Sequence, residues 1–193
     1  MQGRVLYKRT RLPFFEVIQM QGTIETILSR RSIRSYTPEP VARSDITMVL
    51  EAGRWAPSGL NNQPWKFIVV YNRDTIEKMA ACTRYSSIVQ NAGVVIAVFL
   101  DTSQMYDRTK DVQSIGAAIE NMLLACCELG LGAVWLGEIL NNKEQVNLIL
   151  KAPESLELMA ALAIGHPGER KTTSSRKELK EIAFEELYGP QWR

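Results

Sequence analysis

Two segments near the front of the chain hold its densest chemistry. Ser29-Arg30-Arg31-Ser32-Ile33-Arg34 is a cationic cluster, and Ala56-Pro57-Ser58-Gly59-Leu60-Asn61-Asn62-Gln63-Pro64-Trp65 is rich in amide and hydroxyl groups. Guanidinium forks, a hydroxyl and free backbone N–H groups at a helix end are the groups that hold an anion. Amides and hydroxyls on irregular backbone supply donors and acceptors to the edge of a planar ring. In this order the two segments read as an anion site followed by a ring-edge site.

The elements that must position them follow from periodicity. Thr23 is placed to cap a short helix with Ile24, Ile27 and Leu28 on one face, which delivers Arg30 to Arg34 at its end. Ser44 and Asp45 open a second helix, where Ile46, Val49, Leu50 and Gly53 recur at helical spacing until Pro57 stops it. Residues 57–64 must then be irregular, which suits ligand contact. The β-branched runs 66–71 and 94–100 read as strands buried on both faces. The longest helix is expected over 111–129, because Ile115, Ala118, Ile119, Met122, Leu123 and Cys126 keep a helical spacing and Gly130 and Gly132 end it. Its apolar residues extend nearly all round, as at a domain centre or a subunit interface. Strands over 133–139 and 157–165 flank a helix near 142–150 that Asn142 can cap. The fold class is α+β: helices surround one central mixed sheet.

Composition excludes several functions. One domain is expected over residues 22–193, long enough to bury roughly two-thirds of its unfolded surface without a staple. Residues 1–21 carry Arg4, Lys8, Arg9 and Arg11 but no apolar targeting core, and read as an arm or extension outside that domain. The three cysteines, Cys82, Cys126 and Cys127, fit buried thiols in a reducing cytoplasm. A formal net charge of +2 without a basic stripe argues against nucleic acid. No apolar run approaches the roughly 20 residues of a spanning helix, so no membrane partner is expected.

The remaining catalytic signatures are missing. Gly130-Leu131-Gly132 lies after a helix and before a strand, the reverse of a dinucleotide-binding turn, and no P-loop occurs. The single His166 has no histidine partner for a metal, and no serine has the flanking glycines of a nucleophile elbow. Chemistry carried by a bound organic cofactor is left.

Over about residues 23–188 the two segments, in their order and position, resemble the nitroreductase family of FMN-dependent oxidoreductases. The resemblance implies a dimeric nitroreductase-like fold with a mostly antiparallel sheet. By match it implies FMN contacts from Arg30 and Ser32 at the phosphate and ribityl end and from Arg34 at the N1–O2 edge of the ring, where a cation stabilises reduced flavin; Arg31 is counted among the cofactor contacts without an assigned part of FMN. Pro57, Ser58, Gly59 and Asn61 match a segment that reaches the ring in the neighbouring subunit, while Gln63 and Trp65 brace that loop. Trp135, Leu136 and Gly137 match a segment whose backbone lies along the ring; a glycine inside a strand pattern marks either close backbone approach or a bulge. After Ile164-Gly165-His166-Pro167, relatives present a Lys-x-Arg pair that closes over the phosphate. Here Arg176 is kept, Ser174 stands at the lysine position, and Arg31, Lys171 or Lys177 are the substitutes at hand.

The activity so implied is ping-pong transfer of hydride from NADH or NADPH through flavin N5 to a small-molecule electron acceptor, a nitroaromatic, quinone, flavin or other metabolite, in a cytoplasmic homodimer. No side chain need act as acid or base. Tyr85, Met105 and Tyr106 are the candidate lid residues. The competing readings are a flavin carrier or sensor without turnover, a dehalogenase-like enzyme, and a protein-interaction module built on the apolar central helix.

Overall fold

A computed structural model describes residues 22–168 and 174–192 of the chain. The expected arm over 1–21, and Lys171, lie outside the described residues. Four strands, β1 (Trp65–Val70), β2 (Val94–Asp101), β3 (Gly132–Leu136) and β4 (Leu156–Gly165), form a sheet in the order β1-β2-β4-β3. All three pairings are antiparallel. The mixed character expected of the sheet is reduced to one parallel bridge, Ser32 to Ala133.

Helices cover both faces. They are α1 (Thr23–Ser29), α2 (Arg43–Arg54), α3 (Arg73–Ala80), α4 (Ser86–Gln90), α5 (Arg108–Glu128), α6 (Lys143–Leu150) and α7 (Leu179–Ile182). The alternation of β2 sorts the core into two layers: Val94, Ile96, Val98 and Leu100 pack with α2 and α5, while Val95, Ala97 and Phe99 pack with α3 and α6. Every residue of β2 is buried, as its unbroken apolar run predicts. The edge strand β1 departs from the same expectation, because Lys66 is exposed and Phe67, Ile68 and Val69 are only partly covered. In β4 the register skips Met159 between the pairs Val98–Ala160 and Phe99–Leu158, and the strand carries its buried face on to Gly165.

Four boundaries differ from expectation for local reasons. The N-cap position of α1 is Gly22, not Thr23. Its outward residues are Ile24, Ile27 and Leu28, while Thr26 is the one turned in, donating to Glu128 Oε2 at 2.9 Å. The long helix α5 starts a turn earlier than its apolar pattern does, because the Asp107 side chain caps it by accepting from Lys110 N at 3.0 Å. β3 ends at Leu136, where Gly137 turns the chain into a 3-10 segment over Glu138–Asn142. Asn142 does precede α6, but its amide is drawn away to Cys82 O at 2.9 Å and caps nothing.

Within α5, Cys126 is buried and desolvation pushes its thiol up to about 12, which makes it an inert part of the core. Among the described residues no helix is long and apolar enough to cross a membrane, and no group of His, Cys, Asp and Glu could hold a metal ion.

Candidate functional site

The cationic segment is laid against the sheet. After α1 ends, the backbone extends, Ser32 bridges Ala133, and Ile33 N donates to Ala133 O at 3.0 Å. The Tyr36 hydroxyl lies 2.8 Å from both Ile33 O and Ala163 O, and burial raises its phenol far above the ordinary range, so it remains a donor. Residues 32–36 thereby inherit the regularity of β3 and β4. Arg34 emerges from this segment exposed, with Nη1 3.3 Å from Ser32 O.

Beside it opens a cleft of about 250 Å³ lined by Arg34, Tyr85, Val134, Trp135, Leu136, Gly137 and Glu138. Three predicted ring contacts and the predicted ring-edge cation are thus brought together. Trp135 is 43 % exposed between buried Val134 and Leu136. Gly137 has φ −91°, which any residue adopts, and a Cβ built on it would meet nothing within 4 Å. Neither the fold nor the backbone of this chain explains a glycine there. Glu138 closes the floor: its carboxylate accepts from Thr83 Oγ1 at 2.6 Å, Arg84 N at 2.9 Å and Arg84 Nε at 3.0 Å, and so holds the turn that carries Tyr85. Those bonds, the Thr83 hydroxyl first, pull the Glu138 carboxyl down to about 2.

A smaller cavity is lined by Ser29, Arg30, Arg31, Ile33, Leu123, Cys127, Leu131 and Ala133. Arg30 lies 3.4 Å from Glu120, and Arg31 Nη1 donates to Leu28 O and Arg30 O, both at 2.8 Å, which spends part of that guanidinium on the end of α1. Arg31 Nε is buried with no hydrogen-bond partner, while Arg30 Nε, also without a hydrogen bond, is the atom that faces Glu120 Oε1. A buried guanidinium N–H without an acceptor is a costly state that an added anion relieves.

The second predicted segment stands elsewhere along α5. Pro57, Ser58 and Gly59 line a cleft of about 290 Å³ with Tyr106, Lys110, Gln113, Ser114 and Ala117. A Cβ on Gly59 would fall 1.9 Å from the Tyr106 hydroxyl, so a side chain there would displace the tip of that ring. The loop continues through Leu60, Asn61 and Gln63, all with φ near +50°, an unusual run for residues other than glycine. Gln63 N donates to Ser58 Oγ at 3.1 Å, and Trp65 is buried where the loop runs into β1. From Ser114 to Cys127, α5 rises about 20 Å, which sets the 57–59 cleft apart from the arginine cavity within one chain. Arg176 joins neither: it is exposed, and Nη1 bonds Ser174 Oγ and Ser175 O.

Sequence reasoning passed over Glu138 and Asp111, the two carboxylates that hold these clefts. Their partners lie 54 and 49 residues away, beyond any local pattern.

A family model described as "Nitroreductase family" matches residues 27–84 and 80–166. This chain belongs to the nitroreductase family. A provisionally named NADH dehydrogenase/NAD(P)H nitroreductase of Archaeoglobus fulgidus is 36 % identical over 155 residues, 79 % of this chain and 89 % of that protein. Among solved structures, a provisionally named nitroreductase from Desulfovibrio desulfuricans, in complex with FMN, superposes with a TM-score of 0.81 at 47 % identity, covering 87 % of this chain and 98 % of that one. The NADPH:FMN oxidoreductase from Vibrio harveyi, complexed with NAD+, gives a TM-score of 0.79 at 25 % identity over 86 % and 77 % of the two chains.

Proposed function

We propose that this chain is an FMN-dependent NAD(P)H oxidoreductase whose flavin sites form between the two subunits of a homodimer. The observation that carries the reading is Gly137, which faces open space beside Arg34, Trp135 and Leu136 and has no reason within the chain to lack a side chain. A flat ring lying along that backbone supplies the reason. Arg31 Nε, buried without a hydrogen-bond partner, fits the phosphate end of the same molecule, with Arg30 beside it although its Nε faces Glu120. Ser32 and Arg176 belong to that end in the proposed arrangement, with Arg176 brought in from its exposed position.

When bound, FMN supplies two-electron chemistry, taking hydride from NADH or NADPH and reducing a quinone, nitroaromatic or flavin in turn. The protein's own part is orientation and charge. Arg34 holds a positive charge at the ring edge, where negative charge accumulates on reduction. Trp135, Leu136 and Gly137 present backbone to one face. Pro57, Ser58, Gly59 and Asn61 of the second subunit close the ring edge and exclude water, with Gln63 bracing their loop. Pairing of two chains accounts for the separation of the two clefts within one. The exposed apolar residues of α1, together with Trp55 at 73 % and Leu60 at 85 % exposure, are the surface offered for that pairing. We place the enzyme in the cytoplasm, with residues 22–193 as its flavin-binding domain.

The test is a visible absorption spectrum of the purified protein, before and after addition of FMN and removal of the excess, then under anaerobic NADH or NADPH. A resolved flavin spectrum that bleaches with a pyridine nucleotide is expected, followed by turnover with a quinone. Retained flavin without turnover would favour a carrier, and no retained flavin would sink the proposal.

A further inference from the structure

The loop over 57–63 closes on itself through Asn61 N to Ser58 O and Asn62 N to Gly59 O, both 3.1 Å, and Gln63 N to Ser58 Oγ. These bonds shape the loop without attaching it to the body of the protein. Attachment runs through one side chain. Asn62 Nδ2 donates to Asp111 Oδ1 at 3.0 Å and lies 3.3 Å from Gln104 O. Asp111 is fully buried in the first turn of α5, and its other oxygen accepts from Tyr106 N at 3.0 Å and Asp107 N at 3.4 Å. The neighbouring cations are engaged elsewhere: Arg108 pairs with Glu157, and Lys110 stands over the Tyr106 ring. Neutral donors alone therefore stabilise the carboxylate, and they come from two different segments.

Those segments are the opposite walls of one cleft, Pro57, Ser58 and Gly59 on one side and Tyr106 on the other. The Tyr106 hydroxyl occupies the space where a Gly59 side chain would be. We propose that Asp111 is a positioning residue for the ring-edge loop: through Asn62 it holds Leu60, Asn61 and Gln63 in their left-handed conformation, and through Tyr106 and Asp107 it fixes the facing wall. The inference rests on the FMN reading of this cleft. One carboxylate sets the width of the slot in which the flavin edge sits. Because the loop has no ladder of its own, its geometry depends on this contact.

The test compares full-length Asp111→Asn, Asn62→Ala and the double variant with the unaltered protein. FMN dissociation constants come from fluorescence quenching, and amide hydrogen exchange at residues 61–63 is followed in flavin-free protein. Each single variant should weaken FMN binding about tenfold, the scale of one lost hydrogen bond to a charged acceptor, and speed loop exchange while β2 and β4 amides stay protected. The double variant should lose no more than the worse single one, since both act along one path. Asn62→Ala carries the test if Asp111→Asn does not fold. Unchanged FMN affinity, additive losses, or exchange that rises equally in the sheet would overturn the proposal. If the unaltered protein binds no FMN, the functional reading fails first; faster loop exchange in Asn62→Ala would then be a clamp with nothing to position, which refutes the role assigned here.

Discussion

Arg34 and Gly137 are placed by a sheet, whereas Ser58 and Asn61 are placed by a buried carboxylate, although both sets belong to one proposed flavin site. In the first region the backbone of 32–36 runs beside β3, and the Tyr36 hydroxyl ties it to β4. Glu138 there secures the turn at Thr83 and Arg84, which carries Tyr85, and not the backbone of 32–36. In the second region three non-glycine residues stand at positive φ, and Asn62 to Asp111 is the tie to α5. The contrast separates two sources of precision in a binding site. Backbone ladders tolerate the loss of any one side chain, while a strained loop concentrates its geometry in a few.

The sharpest way to break the comparison is Asp111→Ala. It strands the Asn62 amide and the Tyr106 and Asp107 N–H groups, and should cost about 3 kcal/mol in urea unfolding. A loss below about 1 kcal/mol would place the loop's support elsewhere. The first region should yield only to a change that reaches its backbone. Gly165→Ala is such a change, since its Cβ would lie 2.9 Å from the Tyr36 ring; about 2 kcal/mol is expected by the same measurement.

Glu138→Gln should act through pH. The Glu138 carboxyl is held at about 2, below its ordinary 4.5, so the stability it confers is complete above the ordinary value and is lost as pH falls from about 5 toward 2. Thermal unfolding across that window should be flatter with pH in the variant, and parallel curves would refute the assignment. The smallest effect on stability is expected at Gly137→Ala, within about 0.5 kcal/mol for flavin-free protein because the new methyl meets nothing. The same variant should retain FMN poorly on a desalting column. Undiminished retention would remove the ring from that face.

The frame of the molecule was legible where a pattern is local. The apolar spacing in α5 predicted that helix to within a turn at its start, and the β-branched run of β2 predicted its strand to within a residue, because burial on a helix face or inside a sheet leaves its mark in the sequence. α1 misled for the opposite reason. Its apolar residues mark an exposed surface, and its one buried side chain, Thr26, is held by Glu128 at a distance of 102 residues. α3 was not anticipated, though Asn72 accepts from Thr75 N at 2.9 Å and begins it as a capping residue should. At the site, residue types were readable but their grouping was not. Arg34 meets Trp135 and Gly137 beside β3, while 57–59 sits with Tyr106, and sequence order alone gives no sign of that division.

The 21 residues of α5 act as a fixed ruler between the two clefts. Adding one residue near its middle would turn everything beyond it by about 100° and shift it by about 1.5 Å. Leu123 and Cys127, which underlie the arginine cavity, would swing away from it while Asp111 and Ser114 kept their places. Changes in chain length are therefore barred from this stretch far more strictly than changes in residue type, and an engineer wishing to resize the protein would have to leave this helix at its present count.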